Sequence, residues 1–297
     1  MAEKWFDRAW IDAPQEDKEY FERMALGPIP AAKGMEGMEK NAFERQGFEA
    51  AHAALNVFRG ELGLDPVVIG SARLHVIEPK LYMEKFGSES RGASAYGHGY
   101  IARKRSRTGF LGTLTHELTH MASGQAMRVY AREKDGKLEG LHLPMQSGFA
   151  FWNRKPIKGR ENDAETPSFH GLNEAVTELI AHDVRNRLRD TGTPLSQDEQ
   201  REMEESFSYY PLIVLLRRII ATAFPKIGER DAAWKDLYRD YMNGEYGIIK
   251  RLDERTPGVS KILHDMTTEM DSITAAARSL GHDDIADYFS EPEKKTV

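Results

Sequence analysis

The chain has 297 residues, 40% of them apolar and 30% charged, the composition of a soluble globular protein of one large domain or two packed lobes. Its formal net charge of −6, from 47 acids against 41 bases, leaves no basic footprint for nucleic acid. It has no cysteine, which excludes disulfides, thiolate metal sites and cysteine nucleophiles, so any metal must be held by His, Asp or Glu.

Residues 1–39 are punctuated by Trp, Pro and Gly and show no single period, so they read as an N-terminal extension. The opening MAEKWFDRAWIDAPQEDKEYF lacks the apolar core and small-residue cleavage site of a secretory signal. From Lys40 to Leu62 a helical pattern follows, with Phe43, Ala50, Ala51, Ala54, Leu55, Phe58 and Leu62 on one face. His52 within it reads as a partly buried surface histidine.

Residues 66–77 (PVVIG, then ARLHVIE) predict β-structure, and 93–102 predict a second extended stretch interrupted by Gly97 and Gly99. The next helix is expected from Thr108 to Ser123, with Thr108 as N-cap and Gly124 just past the end. Leu111, Leu114 and Leu118 form its core stripe. Asp135-Gly136 predicts a hairpin turn within 129–143, and SGFAFWN a further strand. Helical pattern resumes at His170 and continues to Arg189. The remainder reads as helices, among them an apolar one at 210–224, with a frayed EPEKKTV end. The apolar run from Leu212 to Phe224 is broken by Arg217 and Arg218 and is too short to span a bilayer. The expectation is a cytoplasmic protein without a membrane partner.

The segment TLTHELTHMASG carries the chemistry. His116 and His120 are four apart and share one helix face, so their rings can converge on one ion. Glu117 stands one residue past the first histidine, where it can reach a metal-bound water and act as general base. Two imidazoles leave a catalytic zinc one protein ligand short. GLNEAVTELIAHD supplies a candidate: Glu174 and Glu178 lie on one side of a second helix whose core face is Leu172, Val176, Leu179 and Ile180. One carboxylate can ligate and the other can orient a ligand histidine.

His116–His120, read with the NEAVTE of Asn173 to Glu178, resembles the gluzincin metallopeptidases of the thermolysin type. That resemblance implies an α+β zincin-like fold: a small mixed sheet, an active-site helix and a mostly helical C-terminal lobe. It divides the chain into the extension (1–39), a sheet subdomain with the HELTH helix (40–126) and a C-terminal subdomain (127–297). It implies one catalytic Zn2+ on His116, His120 and Glu174, with Asn173 and Glu178 supporting the ligands. It also implies that Tyr96, Gly97, His98, Gly99 and Tyr100 form a rim strand on which an extended peptide or protein substrate pairs. The zincin class requiring H-E-x-x-H-x-x-G-x-x-H is excluded, because Ser123 and Ala126 occupy its last two fixed positions.

No tyrosine closely precedes Glu174, so the oxyanion donor is sought in Tyr209 and Tyr210 of SYYPL; packing is their other reading. The expected activity is zinc-dependent endopeptidase, with a metal-activated water and Glu117 as base. The rival readings are an inactive zincin serving as a binding or scaffold module, and a metal hydrolase of a non-peptide amide.

Overall fold

Asn41 starts the first helix. Its side-chain oxygen accepts the backbone N–H of Glu44 at 2.9 Å, and the Glu44 carboxylate accepts that of Asn41 at 2.8 Å. This reciprocal capping box satisfies two donors that a helix start leaves open. Helix α1 then runs Ala42–Glu61. The computed structural model describes residues 37–86, 92–95, 98–104, 106–127, 130–134, 137–154, 168–191, 195–205 and 208–290. These form a mixed α+β protein, mostly helical, with small sheets. Tyr96, Gly97, the Asp135-Gly136 turn, most of the N-terminal extension and the last seven residues lie outside the described residues.

The described chain divides into two compact units, 37–122 with 180–207 and 123–179 with 208–290. The division is not linear: it falls between Leu179 and Ile180, inside one continuous helix.

In the first unit, α1 buries Ala50, Ala51, Ala54, Leu55, Phe58 and Leu62 as its period predicts, together with Phe48. His52 is structural: its Nε2 lies 2.8 Å from the carbonyl of Val67. The extended region after α1 condenses into one short strand, β1 (Leu74–Ile77), followed by α2 (Pro79–Phe86). The second extended stretch is two strands, β2 (Gly92–Ala95) and β3 (His98–Ala102). The sheet order is β1-β3-β2, with β3 parallel to β1 and antiparallel to β2. Just past β3, Arg103 grips both oxygens of the buried Glu44 carboxylate at 2.8 Å each and so ties the sheet to the start of α1.

Helix α3 (Arg107–Ala122) packs on the same unit. Its N-cap is Ser106, whose Oγ accepts the N–H of Gly109 at 3.2 Å. Thr108, the expected cap, is instead buried and donates to Glu202 of α5 (Gln197–Glu205) at 3.0 Å. Leu111, Leu114 and Leu118 are fully buried, and Gly47 of α1 lets α3 approach closely: a Cβ there would sit 2.9 Å from Leu111. Thr115 and Thr119 return their hydroxyls to the carbonyls of Leu111 and Thr115, which lets them sit in apolar surroundings.

The second unit holds an antiparallel sheet of β4 (Gln125–Met127), β5 (Tyr130–Lys134), β6 (Lys137–Ser147) and β7 (Ala150–Arg154), with β6 paired to the other three. The β5–β6 register runs from Tyr130↔His142 to Lys134↔Lys137. Gly124 is needed for close approach rather than for a helix cap: its N–H donates to the Tyr241 carbonyl at 3.2 Å, and a Cβ would collide with the backbone of 243–244. Helix α4 (His170–Leu188) begins here and ends in the first unit. Then come α6 (Tyr210–Ala223), α7 (Ile227–Asn243), α8 (Gly247–Arg255), α9 (Val259–Asp265), α10 (Met270–Ser279) and α11 (Asp283–Ser290). The apolar run predicted as a core helix is α6, with Leu212, Ile213, Leu215, Leu216, Ile219 and Ile220 buried. Among the described residues, no helix is long and apolar enough to cross a membrane.

Candidate metal centre

One turn of α3 separates His116 from His120, and both rings leave the same face. Their Nε2 atoms lie 3.2 Å apart, and the rings meet edge to face at 76°. Two bonds of ~2.0–2.1 Å at a tetrahedral angle require donor atoms roughly 3.3 Å apart, so the pair is at a spacing compatible with a shared metal ion. Glu174 completes the set: its carboxylate oxygen and the two ring nitrogens all lie within 4.8 Å of one another. His120 and Glu174 are buried, and His116 is half-buried. This largely buried His-His-Glu group could hold a metal ion. Imidazole nitrogen and carboxylate oxygen are donors that suit several divalent metals.

Glu117 is buried at 4% exposure. One glycine makes room for it: a Cβ on Gly92 of β2 would lie 2.8 Å from its Cδ and 2.7 Å from Thr113 Cγ2, whereas one on Gly99 of β3 would press on the Met121 sulfur at 2.9 Å. The backbone of β2 therefore runs directly against the carboxylate proposed as base.

The α4 carboxylates and their neighbour are anchored within the second unit. Asn173 accepts the N–H groups of Phe149 and Ala150 at 3.0 and 3.1 Å, pinning the β6–β7 turn to the helix. Gly148 at that turn has φ +57°, and a Cβ there would strike the Tyr241 ring and Asn173. Thr177 donates to the Asn173 carbonyl at 2.7 Å, and its hydroxyl lies 2.6 Å from the Tyr241 hydroxyl. Glu178, buried at 2%, accepts the Ser208 N–H at 3.2 Å, which fixes the turn leading into α6.

The remaining sequence candidates fall as follows. Tyr209 sits in that turn with φ +57°, half-buried, at the N-cap of α6. Tyr210 is 41% exposed and its ring meets Phe289 edge to face at 6.4 Å, a packing contact. His98 and Tyr100 project from β3 on the face opposite Gly99, away from α3. Tyr100 is buried there, stacked at 4.8 Å on His75 and packed with Tyr82 and Ile77. The expectation that β3 is a rim on which substrate backbone pairs needs correction. Gly99 is registered with Leu74 of β1 and Ser94 of β2, and Tyr100 with His75 and Ala93, so both edges of β3 are already taken. Among the described strands the outer ones of this sheet are β1, which Met38 bridges at Val76, and β2.

Comparison of the chain with protein-family models, curated proteins and solved structures returns no match.

Three contributors escaped the sequence reading. Gly92 lies in SESRGAS, where nothing local marks it as the neighbour of Glu117. Tyr241 meets Thr177 only through the tertiary fold. His170, whose Nδ1 is 3.9 Å from Glu174 Oε1, had a signal, since it stands four residues before Glu174.

Proposed function

We propose that the chain is a zinc-dependent endopeptidase of the gluzincin kind, built on a zincin-like core. The convergence of His116, His120 and Glu174 donor atoms within 4.8 Å carries the proposal. These three would hold one Zn2+. Bound there, the ion would acidify a water and polarise a carbonyl as a Lewis acid.

The rest falls to the chain. Glu117 follows His116 directly, so it leaves the helix beside the ligand face without sharing the ligands' direction. Its buried carboxylate takes the proton of the attacking water and passes it to the leaving nitrogen of the scissile amide. The Asn173–Phe149 and Thr177–Tyr241 bonds hold the first turns of α4 so that Glu174 keeps its place. An extended substrate segment pairs with the edge of β2, whose Gly92 brings it alongside Glu117. Tyr209 is the residue assigned to hydrogen-bond the developing oxyanion.

The test is metal analysis of the purified chain together with cleavage of casein, for wild type and Glu117→Gln. One equivalent of zinc in both proteins, with cleavage by wild type alone, supports the proposal. Absence of metal from wild type, or undiminished cleavage by the variant, refutes it.

A further inference from the structure

The residue that leads into α4 is held in a strained conformation. Phe169 has φ +59°, a left-handed backbone that a bulky residue adopts rarely and at a cost. Such outliers persist where the surroundings over-determine them, and they gather at functional sites. The surroundings here do so. The Phe169 N–H donates to the His264 carbonyl, the Gly171 N–H to the Met266 carbonyl and the Asn173 N–H to the Phe169 carbonyl, each at 2.9 Å. The Phe169 ring is caught between Tyr246 and His264 at 5.5 and 5.2 Å. Gly171 has no room for a side chain, because a Cβ would meet the carbonyls of Thr267 and Met266 at 2.8 and 3.0 Å.

These contacts set His170 as the first residue of α4, one turn before Glu174 and on the same face. Its Nδ1 lies 3.9 Å from Glu174 Oε1, and its ring is 30% exposed. Nothing in helix stability calls for a histidine there, since the positive end of the helix dipole favours an acid. From the strained turn and the i,i+4 approach we infer that His170 is a positioning residue for the metal ligand. On metal binding its Nδ1–H closes from 3.9 Å to hydrogen-bond distance of one Glu174 carboxylate oxygen, as contacts at such sites tighten when loaded, which leaves the other oxygen for the metal. Partners of this kind orient a ligand and raise its affinity for the metal. The inference rests on the metal assignment above.

The experiment titrates Zn2+ alone into the metal-free full-length chain, followed by calorimetry, for wild type, His170→Ala, His170→Asn and Glu174→Ala. Asparagine keeps a donor near the Nδ1 position. Wild type should take up one equivalent, and Glu174→Ala should bind far more weakly. His170→Ala should weaken binding roughly 10- to 100-fold, His170→Asn should recover most of that loss, and thermal unfolding of the metal-free variants should match wild type. His170→Ala binding as tightly as wild type overturns the inference. So does a loss that asparagine does not restore, or one that comes with a less stable metal-free fold. A wild-type chain that takes up no zinc, in contrast, removes the metal assignment itself and this inference with it.

Discussion

Gly92 of β2 lies flat against the carboxyl of Glu117, so close that a β-carbon on the glycine would stand 2.8 Å from Glu117 Cδ. The requirement is for space, because Gly92 is not among the residues of positive φ. Gly92→Ala must therefore displace either the strand or the carboxylate. A shift of about 1 Å in a catalytic group costs on the order of 10²-fold in rate. The expected result is a fall in peptidase kcat of that order with zinc content unchanged, since neither histidine nor Glu174 is touched. Equal kinetics for Gly92→Ala and wild type would show that Glu117 does not work from this position.

In the proposed centre, α4 contributes Glu174 as the third ligand. Glu174→Ala leaves two imidazoles 3.2 Å apart, a pair short of the three protein ligands a catalytic zinc uses. Metal binding stabilises the folded chain by about 2.7 kcal/mol when free metal is 100 times its dissociation constant. Wild type should gain several degrees of melting temperature on adding Zn2+ and lose them with a chelator. Glu174→Ala should melt at one temperature under both conditions. A zinc-dependent shift of wild-type size in Glu174→Ala would place the ion elsewhere.

The centre was legible in sequence because its signals are local. HELTH places two rings four residues apart, and helix geometry alone turns that spacing into shared direction. NEAVTE does the same for Glu174 and Glu178. The role of β3 was not legible. Its glycines suggest an open rim, but whether a strand is central or peripheral depends on partners 25 residues away in β1 and on the pairing with β2. The cap of α3 shifted from Thr108 to Ser106 for a similar reason: either hydroxyl fits the local pattern, and the distant Glu202 claims Thr108. Tertiary contacts decided each point at which the local pattern allowed two answers.

Tyr241 and Thr177 share a buried hydrogen bond at 2.6 Å that fastens α7 to α4 one turn past Asn173. Tyr241→Phe removes one hydroxyl and leaves the ring, which packs on Phe149 at 5.7 Å. Thr177 keeps its bond to the Asn173 carbonyl, so no polar group is stranded. The loss should be about 1 kcal/mol, that of a single hydrogen bond, seen as a lower denaturation midpoint at unchanged m-value. Thr177→Val removes both this bond and the one to the Asn173 carbonyl and should cost more, about 1–3 kcal/mol. The opposite ranking would mean that Tyr241 finds its stabilising partner elsewhere.

His75 and His98 face each other across β1 and β3, Nε2 to Nδ1 at 3.0 Å, stacked with Tyr100. Burial pushes both imidazoles below their ordinary range; the charge of His98 and then Lys40 adds to this for His75, and Arg73 does so for His98. A histidine held neutral by the fold binds its proton more readily in the unfolded chain. The unfolded state therefore carries more protons, and stability rises with pH through the window between the depressed values and about 6.5. Above that window the pair contributes no slope; as pH falls through it, stability is lost. Replacing both histidines with asparagine should flatten this part of the stability–pH curve, measured by urea unfolding at successive pH values with zinc absent. An unchanged slope between pH 6.5 and the onset of acid unfolding would assign the acid sensitivity to other groups.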